Sequence, residues 1–183
     1  MWPWGHLAVG YLCYVGWHRH TESSTTGFTP ALATLVLLAI GTQFPDLIDK
    51  PLAWTVHVLP AGRTLAHSAL VAVPIALGGI RVLDPESGAA FAIGYWSHLV
   101  ADSVWPLFEG QVGSLAFLLW PVLPAPPYET APSFGAHFAA FTVTPQVATE
   151  FALFGLAVGH WLSVGRPGLS AALDAVRRVI TSA

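Results

Sequence analysis

Apolar and polar positions alternate in blocks along this chain rather than residue by residue. Runs with almost no charge cover residues 2–17, 30–44, 64–83, 88–107, 112–124 and 136–164, and a helix needs about 20 such residues to cross a bilayer. The second and fifth runs are short for a span. The sixth is long enough to tilt or to bend at Pro145, and Pro74 offers the third a similar bend. Between runs lie TESSTTGF, LDPESG and PAPPYETAPS, whose Pro, Gly, Ser and Asp mark chain reversals. The pattern predicts an all-α, polytopic helical membrane protein with about five or six membrane segments.

The opening run, MWPWGHLAVGYLCYVGW, has neither the basic region nor the small-residue cleavage site of a secretory signal, so it is expected to persist as the first membrane helix. No polar linker divides the chain, and residues 1–165 read as one membrane-embedded domain. In the remainder, 166–183, Leu169, Leu173, Val176 and Ile180 recur at helical spacing beside Arg177 and Arg178, as expected of an interfacial or a solvated helix.

Composition supports the membrane reading. The 183 residues are 54% hydrophobic and 9% charged, where soluble domains carry about 25% charge. Seven Lys and Arg against ten Asp and Glu give a formal charge of -3, which excludes a basic surface for nucleic acid. Cys13 stands alone, so there is no internal disulfide. The eight Trp residues suit aromatic belts at the two interfaces. If six segments alternate, the amino terminus, the 45–63 and 108–111 loops and the tail share one side with Lys50, Arg63, Arg166, Arg177 and Arg178, leaving Arg19 and Arg81 opposite. The richer side is expected to be cytoplasmic.

The chemistry lies in a few ionisable residues placed in apolar surroundings. In GYWSHLVADSVWP, His98 and Asp102 are four apart and share one helix face. FPDLIDKP places Asp46 and Asp49 between Pro45 and Pro51, where a helix is expected to stop. GRTLAHSAL adds Arg63 and His67, and WGHLAVGY adds His6. Under alternation all of these approach the same face. Each has a plainer alternative: a hydrogen-bonded His–Asp pair, a helix-ending turn with exposed acids, an interfacial Arg anchor, a headgroup-level His. Together, His6, Asp46, His67, His98 and Asp102 make a donor set suited to a divalent metal, zinc before manganese or iron. The number of donors suggests two ions, with Asp49 bridging or acting as general base. Such a centre suits hydrolysis of a phosphoester, with Arg63 orienting substrate and Lys50 assisting. Of the other polar residues, His18 and His20 are expected at the polar interface, His57 is background with a place toward the site as its lesser alternative, and Glu150 is expected to pair with Arg63, His160 or the metal.

The ordered set of His6, PDLID, RTLAHS and GYWSHLVADSVWP, over residues 5 to 106, resembles the YdjM-like family of inner-membrane-associated metal-dependent hydrolases, also described as LexA-binding. Through that family the chain is similar, more distantly, to zinc-dependent phospholipases C and P1-type nucleases. This resemblance implies a zinc phospholipase C-like helical core with His6, Asp46, His67, His98 and Asp102 as metal ligands. The chain departs from the trinuclear relatives, since neither His137 nor His160 has a Glu four residues on. The expected function is therefore a membrane-bound metal-dependent hydrolase near the cytoplasmic face, acting on a lipid or lipid-linked phosphoester. The rivals are a non-enzymatic regulatory or scaffold protein with a buried His/Asp network, and a metal transporter. The oligomeric state is left open.

Overall fold

Side-chain caps settle where several helices begin. Ser68 accepts the Leu70 N–H at 3.2 Å, Asp84 that of Ser87 at 3.0 Å, Ser133 that of Ala136 at 3.1 Å and Thr144 that of Val147 at 3.3 Å. The Ser87 bonds hold the exposed Asp84 carboxyl below its ordinary range. In the computed structural model, which describes residues 1–21, 27–125 and 133–181, the helices are α1 (Pro3–Thr21), α2 (Leu32–Trp54), α3 (Ala69–Val82), α4 (Pro85–Phe108), α5 (Phe134–Ala139), α6 (Pro145–Ser163) and α7 (Leu169–Thr181). A 3-10 helix, Val112–Leu119, follows α4. The described residues contain no strand.

Contacts along the helices fix their directions. Trp2 meets Glu150 and Tyr11 meets His160, so α1 and α6 run parallel. Thr34 meets Ser87 and Thr42 meets His98, so α2 and α4 also run parallel. α3 returns against α4, with Ala66 beside Tyr95 and Gly79 beside Phe91. One end of the bundle, the near end, gathers residue 1, the ends of α2 and α4, the turn before α3 and the start of α6. The far end holds the end of α1, the start of α2, the α3–α4 turn, and α7.

Three sequence expectations need correction. The helix expected to stop at Pro45 continues through both Pro45 and Pro51 to Trp54. A mid-helix proline costs about 3 kcal/mol, but α2 is pressed along α4 by glycines. A Cβ on Gly94 would lie 2.5 Å from the Leu38 carbonyl oxygen, and one on Gly41 would collide with that of Phe91. This close approach keeps α2 on course. The apolar run 112–124 is not a span: it makes the eight-residue 3-10 helix and ends at Trp120, where Pro121 and Pro124 prevent continuation. The run 136–164 divides into α5 and α6, because Pro145 takes the first helical position behind the Thr144 cap instead of bending one long helix. As a result, the tail leaves from the far end, opposite residue 1, and not from the same end.

Tyr14, Leu38 and Ala90 form one buried cluster, and Ala72, Phe91, Tyr95 and Leu99 another. Much of the outer surface is apolar as well. Leu70, Val73, Leu77 and Ile80 of α3, and Trp96, Val100, Val104 and Leu107 of α4, are exposed in helical stripes. Among the described residues, one helix, Leu32–Trp54, is long and apolar enough by itself to cross a bilayer.

Candidate metal centre

Three helices and one turn deliver the acidic and imidazole side chains to the near end. His6 comes from α1, Asp46 and Asp49 from α2, Arg63 and His67 from the turn before α3, and His98 and Asp102 from α4. The Nε2 atoms of His67 and His98 are 3.2 Å apart. Asp46 Oδ1 is 3.5 Å from the first and 3.9 Å from the second. Asp102 Oδ2 is 3.7 Å and 3.8 Å from the same two atoms. The His6 ring stacks on His98 with centroids 3.6 Å apart, and its Nε2 is 3.4 Å from Asp102 Oδ1. His6, His67, His98 and Asp102 are buried.

The supporting bonds set the protons. The His98 Nδ1–H donates to the Thr42 carbonyl at 2.6 Å, one turn before Pro45 in α2. Asp49 Oδ2 accepts the backbone N–H of Thr64 at 2.8 Å and of His67 at 3.2 Å, while Oδ1 accepts that of Ala66 at 2.8 Å. An ionised carboxylate holding these donors also accepts the His67 Nδ1–H, at 2.8 Å. With Nδ1 donating on both rings, each neutral imidazole turns an Nε2 lone pair inward. Two lone pairs and two carboxylate oxygens then converge, a set that suits a cation or, on His67, a proton drawn by Asp46 and Asp49. Zinc bonds of about 2.0–2.1 Å imply donor–donor edges of about 3.4 Å in a tetrahedron, and the edges joining His67 and His98 to each other and to each carboxylate oxygen, 3.2 to 3.9 Å, bracket that value. Both His6 nitrogens are buried and lack a hydrogen bond, which leaves them for the same role.

The expected residues therefore do not all fall in one layer. His6, Asp46, His67, His98 and Asp102 converge, forming two overlapping groups, His6–His98–Asp102 and Asp46–His67–His98. Asp49 does not face them as a bridge or as a free base, because its oxygens are spent on the 64–67 turn and on the far side of the His67 ring. Arg63 Nε is 2.8 Å from Asp102 Oδ2, and Lys50 Nζ is 2.6 Å from Asp46 Oδ2. Sequence reasoning missed the Met1 amino group, 2.7 Å from Asp102 Oδ1. It also missed Phe117, which packs against His67 from the 3-10 helix. No local pattern signals either contact. Glu150 meets none of its three expected partners, accepting instead the Trp2 N–H at 2.9 Å and the Gln146 amide at 3.2 Å. His57 is exposed and bonded to the Ala53 carbonyl. His18 is buried against Phe28, not set in a polar interface, because α1 runs on to Thr21.

A cavity of about 1020 Å³ adjoins the cluster, lined by Met1, Trp2, Lys50, Trp54, Arg63 and His137 among others. Lys50 lies 5.6 Å over the Trp54 ring. Burial, and after it the Lys50 charge, holds His137 below the ordinary imidazole range. The mouth thus combines basic groups, an imidazole and flat aromatic surface beside the donor cluster.

No curated protein and no solved structure matches the chain. A family model does match, over residues 1–167, and those residues contain every member of the cluster. The chain belongs to the YdjM inner membrane protein family.

Proposed function

We propose that the chain is a membrane-embedded, metal-dependent hydrolase of phosphoesters in a lipid or lipid-linked substrate. Five helices, α1 to α4 and α6, cross the bilayer. Membership of an inner-membrane family supports this, as do the apolar stripes that α3 and α4 turn outward while imidazoles and carboxylates are held inside. The reading rests on one observation: the inward convergence of His67 Nε2, His98 Nε2, Asp46 Oδ1 and Asp102 Oδ2 with both Nδ1 atoms committed elsewhere.

Asp46, His67, His98 and Asp102 would hold one divalent ion, zinc first, with His6 as an adjacent donor. A second ion has less support, since Asp49 is used up and His98 has only one nitrogen left over. A bound ion would supply Lewis acidity toward a phosphoryl oxygen and lower the pKa of water beside it. Asp49 orients His67 and raises its basicity as a donor. Arg63, whose Nε lies 2.8 Å from Asp102 Oδ2, lines the cavity, where its fixed charge would orient a phosphate. Trp2 and Trp54 give an apolar wall to the same cavity.

One observation favours a second reading, a non-enzymatic scaffold: Arg63 and Lys50 already place positive charge on Asp102 and Asp46. Metal content separates the two. Protein purified in detergent with zinc supplied and excess removed should carry about one ion per chain by elemental analysis, and His98→Ala and Asp102→Ala should lose it. A metal-free wild-type chain would sink the hydrolase and leave the scaffold. Where metal is present, release of phosphate or headgroup from phospholipid and lipid-linked substrates tests the chemistry.

A further inference from the structure

Each membrane crossing reverses sides, so the number of crossings decides which basic residues face together. With 112–124 folded as a 3-10 helix, α6 ends at the far end, and Arg166, Arg177 and Arg178 join Arg19 and Arg81 there. The near end keeps only Lys50 and Arg63, both paired with carboxylates of the cluster. Five basic residues against two is the reverse of the balance that six crossings would give. Short basic flanks are retained on the cytoplasmic side.

The far end also carries a surface suited to lipid. Gly165, Arg166 and Gly168 have φ of 87°, 58° and 81°, a sharp turn that breaks α7 away from α6. α7 then exposes Leu173, Val176, Val179 and Ile180. Arg177 and Arg178 flank this stripe, with Asp174 the single acid of the helix, 3.7 Å from Arg177. An apolar stripe bordered by Arg fits a leaflet of anionic headgroups. The family match ends at residue 167, before α7 begins.

We infer that α7 lies on the anionic cytoplasmic leaflet and that the cavity over the His–Asp cluster opens on the opposite, non-cytoplasmic face. Given the hydrolase reading above, on which this part rests, the substrate class narrows to phosphate-bearing headgroups presented from the non-cytoplasmic leaflet. Lys50 and Arg63 meet the phosphate there, and Trp2 and Trp54 the adjoining lipid.

Thiol labelling tests sidedness without reference to metal or turnover, so its failure is separable from failure of the hydrolase reading. In a Cys13→Ser background, Gln111→Cys marks the near end and Ser170→Cys marks α7. A membrane-impermeant maleimide added to bacterial spheroplasts should label Gln111→Cys at once and Ser170→Cys only after permeabilisation. The reverse order, or equal labelling of both from outside, overturns the inference. A green fluorescent protein fused after α7, which matures only in the cytoplasm, should be bright, and a dark fusion on well-expressed chain overturns it too. For the lipid contact, a polarity-sensitive dye on Val176→Cys in proteoliposomes should shift to the blue with phosphatidylglycerol in the vesicles. That shift should shrink severalfold with Arg177→Glu and Arg178→Glu together. Identical emission in anionic and phosphatidylcholine vesicles removes the α7 contact.

Discussion

Asp49→Asn separates a ligand from a residue that positions one. Asp49 accepts four hydrogen bonds in the fold: three at Oδ2, from Thr64 N, His67 N and His67 Nδ1, and one at Oδ1, from Ala66 N. An amide has only one oxygen. Placing it at Oδ2 keeps three bonds but turns an NH2 group toward the Ala66 N–H, donor against donor. A buried donor left unsatisfied costs about 1–3 kcal/mol, and the three surviving bonds lose their charge assistance. For a chain of this size each kcal/mol lowers the melting temperature by about 2–4 °C. The larger effect is on His67, whose Nδ1–H no longer meets an anion. Loss of such an outer partner weakens metal binding by about 10–100-fold, or about 1.4–2.8 kcal/mol. Zinc affinity of the detergent-solubilised chain, measured against a competing chelator, should therefore fall into that interval while saturation still gives one ion per chain. If Asp49→Asn bound no metal at saturation, as expected of Asp102→Ala, Asp49 would be a direct ligand. Unchanged affinity would show that the His67 contact is idle. Either result refutes the tautomer argument.

Other expected outcomes follow from single contacts. Gly41→Ala should force α2 from α4 at the Phe91 carbonyl, lowering stability by about 1–3 kcal/mol and weakening metal binding. Gly16→Ala, with open space around its Cβ, should be neutral or stabilising by up to about 1 kcal/mol; equal effects in thermal melts would contradict the close α2–α4 approach. Glu150→Gln should cost about 1 kcal/mol, because the Trp2 N–H loses a charged acceptor, and hydrogen exchange at the start of α1 should rise. If that exchange stays put, the α1–α6 tie is unimportant. Arg63→Ala should keep zinc bound, since Asp102 loses a competing cation, yet lower kcat/KM on a phosphoester by about 100-fold. Loss of metal in that variant would instead make Arg63 a structural partner of Asp102.

How much of this was readable beforehand depends on the range of the interaction involved. The i,i+4 pair His98–Asp102, and the gathering of His6, Asp46 and His67 at one end, follow from helical periodicity and alternation, both short-range rules. Pro45 misled because its local rule is real but was outweighed by the contacts at Gly41 and Gly94, between residues far apart in the sequence. The 112–124 run misled in the opposite way: hydropathy measures transfer to an apolar environment, and a segment packed beneath α3 satisfies it as well as one in lipid. Ser68 donating to the Trp120 carbonyl at 2.6 Å shows where that segment is held. Ending that one run short places Arg166, Arg177 and Arg178 at the far end of the bundle. The role of Asp49 was hidden for a similar reason, since a carboxylate three residues from Asp46 looks like a ligand until the 64–67 turn closes over it.

The same long-range contacts explain how a polar site can persist inside a bundle with an apolar exterior. Buried carboxylates and imidazoles are costly without partners, and Asp49 and His98 find theirs on the backbone. The Thr42 carbonyl of α2 takes His98, and the 64–67 turn presents three N–H groups to Asp49 because it has not yet entered α3. Irregular backbone within membrane depth is acceptable where protein buries it. Pro45 thus does more than fail to stop a helix. With no N–H of its own, it leaves the Gly41 carbonyl without its helical donor, one residue before the Thr42 carbonyl that accepts from His98. Replacing it with Ala restores a donor to the Gly41 carbonyl and leaves the Thr42 carbonyl, whose helical donor is Asp46 N–H, to His98 Nδ1. Stability should then rise or hold while zinc affinity stays unchanged, a combination that a general tightening of the site would not produce. A Pro45→Ala chain with weakened affinity would show that the orientation of His98 depends on the proline.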